Sequence, residues 1–164
     1  MTASIAHAET LELGYPVKTL DNAEISVYRF TLGSLNGKCW SNYYEGRLCV
    51  FPGILLAHAS IKNAEDVNFL GVNLFAQFQA GPFWSRYGVG LGLFDKTTKE
   101  IRSSWDVNLS IQLGAIVYKR VGCFLGWDHL SNGRSFAVNL GLEKYWPSNN
   151  DGGNTLIAGC LVFW

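Results

Sequence analysis

Between residues 105 and 117 apolar and polar side chains alternate almost without a break. Trp105, Val107, Leu109, Ile111, Leu113, Ala115 and Val117 fall on odd positions, while Asp106, Asn108, Ser110, Gln112, Gly114 and Ile116 fall on even ones. Successive side chains of an extended chain point to opposite sides, so a period of two predicts a strand with one apolar and one polar face. Residues 68–79 repeat the pattern. Leu70, Val72, Leu74, Ala76 and Phe78 share one face; Asn73, Gln77 and Gln79 share the other with Phe69 and Phe75. Further strands are predicted over residues 24–32, 44–50, 54–61, 83–94, 121–131, 140–146 and 156–164, which makes about eight or nine in all. Turn-forming residues separate them at 33–37, 81–82, 95–100 and 147–154, and Lys119-Arg120 marks a tight turn.

The polar faces carry little charge. Residues 67–94 contain Arg86 as their only charged side chain, and residues 103–118 contain only Asp106. A strand facing bulk water usually carries Lys, Glu and Arg. Asn, Gln, Ser and Gly suit an enclosed interior where side chains bond one another, as inside a small membrane barrel. We therefore expect the apolar faces to point outward from a closed cylinder.

Composition agrees with that expectation. The 164 residues suffice for one domain with its own core, so residues 1–164 are read as a single barrel, with 1–20 an N-terminal extension or first edge strand. Charged residues make up 16%, against roughly 25% in an ordinary soluble domain. Net charge is zero, so no basic surface of the kind nucleic-acid binding needs is implied. No apolar run reaches the ~18 residues of a membrane-crossing helix, but that does not exclude a barrel. Residues 1–16 lack a basic stretch followed by an apolar one, so no secretory signal is visible there. Cys39, Cys49, Cys123 and Cys160 show no metal-like spacing and admit three disulfide connectivities. Each lies in an apolar stretch, so reduced, buried thiols are expected.

Phosphate loops, H-E-x-x-H and G-x-S-x-G are all absent. Of the three histidines, His7 is expected at the surface and His58 as a hydrogen-bonded structural residue. His129 is different. It lies two residues before Ser131, so the two share a strand face about 7 Å apart. Val121, Cys123, Leu125 and Trp127 precede them on that face. If Ser131 stands opposite Gly141 on the next strand, His129 stands opposite Glu143, and directly opposed side chains point the same way. A serine needs a base to become a nucleophile, and a histidine needs an acid to hold its charged form. Ser131, His129 and Glu143 supply those roles.

The His129-Leu130-Ser131-Asn132 run, with its spacing to Glu143 and with Asn139 nearby, resembles the lipid A 3-O-deacylase family of PagL-type outer-membrane barrels. The resemblance implies an all-β, eight-stranded antiparallel up-and-down barrel. It also implies serine-esterase hydrolysis of the 3-O-linked acyl chain of lipid A, or lipopolysaccharide, on the barrel's exterior. No metal or other cofactor is required. Asn132, the Gly133 amide and Asn139 become candidate oxyanion donors, and Arg134 or Lys144 can meet lipid phosphates. The Gly133-Arg134-Ser135 stretch, the four cysteines and the missing signal depart from the family pattern. They leave two locations open: a Gram-negative outer membrane, or a phage virion that meets lipopolysaccharide from outside. The second goes with a catalytically silent barrel that binds rather than cleaves, beside virion or envelope partner proteins.

Overall fold

The computed structural model describes residues 10–20, 25–33, 38–43, 46–62, 64–98, 101, 104–131 and 153–163. They form nine strands: β1 Thr10–Thr19, β2 Ile25–Gly33, β3 Lys38–Tyr43, β4 Gly46–Ile61, β5 Val67–Ala80, β6 Phe83–Phe94, β7 Trp105–Tyr118, β8 Val121–Ser131 and β9 Gly153–Phe163. From β4 to β9 each strand pairs antiparallel with the next, and β1 and β2 join β9 back to β4. β2 lies along Gly53–Ile61 of β4 and β3 along Gly46–Val50, so the two share one position in the wall. The result is a closed eight-stranded antiparallel barrel.

Two expectations about the strands need correction. The strands predicted at 44–50 and 54–61 are one, because β4 runs straight through Pro52 and Gly53. Pro52 falls in the gap where β4 passes from β3 to β2, where a residue that cannot donate to the ladder is tolerated. Thr10–Thr19 is neither an extension nor an edge, since it pairs on both sides and closes the cylinder. The strand expected at 140–146 lies outside the described residues.

The alternation reads as predicted. Val72 of β5 is 65% exposed and Gln112 of β7 is fully buried. Leu70, Leu74, Val89, Leu91, Leu109 and Leu113 face outward, while Asn73, Gln77, Arg86, Asn108 and Ser110 face the interior. Four buried charges hold the lumen together. Glu12 bonds Arg29 Nε at 3.0 Å through one oxygen and Arg86 Nη1 at 2.8 Å through the other, and Gln112 donates to it at 2.8 Å. Arg86 also donates to Gln77 Oε1 at 2.7 and 3.0 Å, and Arg29 pairs with Asp128. Within this network two carboxylates balance two guanidiniums, as buried charges require; a further buried carboxylate, Asp106, accepts from the Val107 amide at 2.8 Å. Apolar layers cap this belt: Trp84, Phe124, Leu161 and Phe163 on one side, Leu55, Phe69, Phe94 and Leu130 on the other.

The two ends of the barrel differ. One has the short turns 81–82 and 119–120 and the start of β1; the other has the longer connections 20–24, 62–66, 95–104 and 132–152. The cysteines differ from expectation too. Cys39 and Cys49, opposed across β3 and β4, form a disulfide on the inward side. Cys123 and Cys160 are free and not buried, and their sulfurs stand 2.9 Å apart across β8 and β9. Cross-strand opposition, which spacing alone does not reveal, brings each pair together.

Candidate active site on the outer wall

β8 leaves the tight turn at Lys119, whose φ of 45° reverses the chain, and returns along β7. Its even residues Phe124, Asp128 and Leu130 are buried in the lumen. Its odd residues Leu125, Trp127 and His129 therefore stand on the outer wall, with His129 at the loop end. The imidazole stacks on the Trp127 ring, with centroids 5.6 Å apart and planes 12° from parallel. Its Nδ1 lies 3.0 Å from Oδ1 of Asn154, the residue directly opposite on β9. With that oxygen accepting, Nδ1 carries the proton and Nε2 is left basic. Ser131 is the last residue of β8, in register with Val107.

The register predicted for Glu143 does not form. β8 has two edges, and at His129 they are occupied by Leu109 of β7 and Asn154 of β9. No edge is left for a strand that would set Glu143 beside His129. Glu143 itself, with Asn132, Gly133, Arg134, Asn139 and Lys144, belongs to residues 132–152, outside the described residues. Asn154 was missed by sequence reasoning because it sits in a stretch read as a turn.

No family model and no curated protein sequence matches the chain. A solved structure does: the crystal structure of the outer membrane enzyme PagL superposes with a TM-score of 0.68. The match covers 93% of this chain and 98% of that one, at 16% sequence identity. The fold is PagL-like. At that identity the likeness to PagL is one of fold, and the chemistry of this chain has to be argued from its own residues.

A groove of about 530 Å³ lies on the outer wall between β4 and β7, lined by Leu70, Val72, Leu91, Leu93 and Trp105. Trp105 opens β7, the strand flanking β8, so an apolar trough approaches within one strand of His129. Among the described residues no group of His, Cys, Asp and Glu is placed to hold a metal ion.

Proposed function

We propose that this chain spans the outer membrane as a barrel and hydrolyses the 3-O-linked acyl ester of lipid A at His129 and Ser131. The observation behind this reading is the outward placement of His129, with its Nδ1 bonded to Asn154, on the same strand as Ser131. Nε2 takes the hydroxyl proton of Ser131 as its oxygen attacks the acyl carbonyl, then returns it to the leaving alkoxide. Water repeats the sequence on the acyl-serine. Asn154 fixes the tautomer, and Glu143 balances the imidazolium from the connecting segment. The oxyanion needs donors within about 3 Å, a role assigned to Asn132, the Gly133 amide and Asn139. Arg134 or Lys144 meets the lipid phosphates.

The wall itself supports a membrane location. Leucines and valines fill its middle, and Trp105, Trp127 and Tyr28 stand toward the loop end, with Phe83, Tyr87 and Tyr118 toward the turn end. That arrangement of an apolar band between aromatic girdles is what lipid selects. Long connections belong to the outer face of such barrels, so His129 would stand at the level of the outer leaflet, where lipid A resides. The 530 Å³ trough would take an acyl chain.

The test is mass spectrometry of lipid A after incubation with the purified, folded protein. The reading predicts loss of one 3-O-linked acyl chain, abolished by Ser131→Ala and by His129→Asn while both variants stay folded. Unchanged lipid A with wild-type protein, or near-normal cleavage by either variant, refutes it.

A further inference from the structure

The barrel carries its His-x-Ser pattern twice. His58-Ala59-Ser60 ends β4 as His129-Leu130-Ser131 ends β8, again at the loop end. Ala57 and Ala59 are buried and His58 is exposed, so His58 and Ser60 share the outer wall, about 7 Å apart along the strand. Four positions round an eight-stranded ring separate β4 from β8, so this pair stands on the opposite side of the cylinder.

The match goes beyond spacing. His58 Nδ1 lies 3.0 Å from Oδ1 of Asn68, the residue directly opposite on β5, just as His129 Nδ1 lies 3.0 Å from Oδ1 of Asn154 on β9. Around His58 the outer residues are described as well. Asp95 accepts from the Asn68 backbone at 2.9 Å and from its Nδ2 at 2.7 Å. Because the Asn68 amide nitrogen is committed to Asp95, its oxygen faces the imidazole, and Nδ1 is the protonated nitrogen. Nε2 is the basic one. It faces Asp66 Oδ2 at 3.5 Å, in the connection between β4 and β5, where a carboxylate balances an imidazolium once formed. Ser60 stands two residues nearer that same end, and Ser26 is directly opposite it on β2, placing a second hydroxyl alongside.

Below the cluster the wall opens into a groove of about 670 Å³ lined by Leu13, Tyr15, Tyr28, Phe30 and Leu56, with His58 at its loop-side rim. Polar groups at one end of an apolar trough match a lipid ester, whose carbonyl sits where the acyl chain meets its headgroup. We propose that His58 and Ser60 form a second acyl-ester hydrolase site, independent of the one at His129.

In this site Ser60 Oγ bonds to the acyl carbonyl carbon as its proton passes to His58 Nε2. Collapse of the intermediate breaks the ester C–O bond and returns the proton to the leaving alkoxide. Water then attacks acyl-Ser60 with the same base, releasing a fatty acid and restoring the hydroxyl. Asn68, held by Asp95, is the positioning residue, in the role a third group plays in Ser-His and Cys-His hydrolases.

The test uses a long-chain alkyl fluorophosphonate on the folded full chain in lipid vesicles, with the modified peptide mapped by mass spectrometry. An adduct on Ser60 is expected in wild type and in Ser131→Ala, forming about 100-fold more slowly in His58→Asn. Asp95→Asn should weaken labelling and displace its pH profile, which a merely structural contact would not do. Ser131→Ala should still release fatty acid from vesicles while leaving the 3-O-linked chain of lipid A in place, and adding Ser60→Ala should stop that release. Glycerophospholipid and lipid A vesicles, assayed separately, identify the source of the ester. Unshifted gel mobility before heating confirms that each variant is folded. No adduct on Ser60, an adduct indifferent to His58→Asn, or no release by Ser131→Ala from either lipid overturns the second site. The His129 reading falls separately, if Ser60→Ala leaves the 3-O-linked chain of lipid A in place.

Discussion

The inner and outer faces of this sheet solve opposite problems. Inside, Glu12, Arg29, Arg86 and Asp128 are fully desolvated, and their bonds reach across β1, β2, β5, β6, β7 and β8. Each of these four charges bonds a side chain on another strand, so removing one strands its partners. Outside, Leu70, Val72, Leu91 and Leu113 are more than half exposed and depend on what surrounds the barrel rather than on each other. A soluble barrel distributes polarity the other way. The inside makes the cylinder specific; the outside is an apolar wall on which exposed polar clusters stand out.

The deepest test of that contrast is Glu12→Ala, which removes the carboxylate between two buried guanidiniums. Breaking a buried pair in this way costs about 3–5 kcal/mol, and urea unfolding in vesicles should show the loss; a change near zero would mean the belt is wet. Next comes a charge placed on the outer wall. Val89→Arg, mid-band, should destabilise by about 2–4 kcal/mol, whereas Phe83→Arg beside the turn should cost about 0–1. Equal costs at the two depths would remove the band.

The cysteines provide a third, smaller contrast. The Cys39–Cys49 bridge lies inward and closes a short hairpin, with 10 residues of sequence separation. The chain-entropy model gives its removal a cost of about 2–3 kcal/mol. In the unreduced, folded protein a lipid-permeant maleimide should modify Cys123 and Cys160 and leave Cys39 and Cys49 untouched. Modification of all four would contradict the bridge.

The smallest effect concerns Asp95, at the loop end beyond β6. The Asn68 backbone N–H and then its side-chain amide hold the Asp95 carboxyl below the usual aspartate range. A carboxyl lowered by folding contributes stability that is present above its unfolded pKa and lost as pH falls through the lower folded value. Asp95→Asn should therefore be slightly less stable than wild type at neutral pH, and the difference should close only in acid, below the ordinary aspartate range. A gap that persists unchanged at low pH would rule out the ionic contribution.

Much of this was legible in the sequence, for a physical reason. Strand faces have a period of two, so Trp105–Tyr118 and Val121–Ser131 disclosed both their extent and their sides. The scarcity of charge on the polar positions told which side was inside. Pairing across strands was not legible. Nothing local connects Glu12 to Arg86, Cys39 to Cys49, or His129 to Asn154, because each contact is set by the register of a closed sheet. The same blindness set Glu143 opposite His129, a place that Asn154 of β9 holds. It also hid the second His-x-Ser pair, whose spacing was in plain view at His58 and Ser60 but whose outward face and Asn68 partner were not.

The claim that lipid, not water, surrounds the wall bearing His129 is open to direct measurement by intermolecular nuclear Overhauser effects in lipid bicelles. The account predicts magnetisation transfer from acyl-chain methylenes to the methyls of Leu70, Val89 and Leu113 and to the ring of Trp127, with none to Leu55 or Leu161. Transfer to the buried pair instead, or a folded monomer in plain buffer with no acyl contact along those strands, would contradict it.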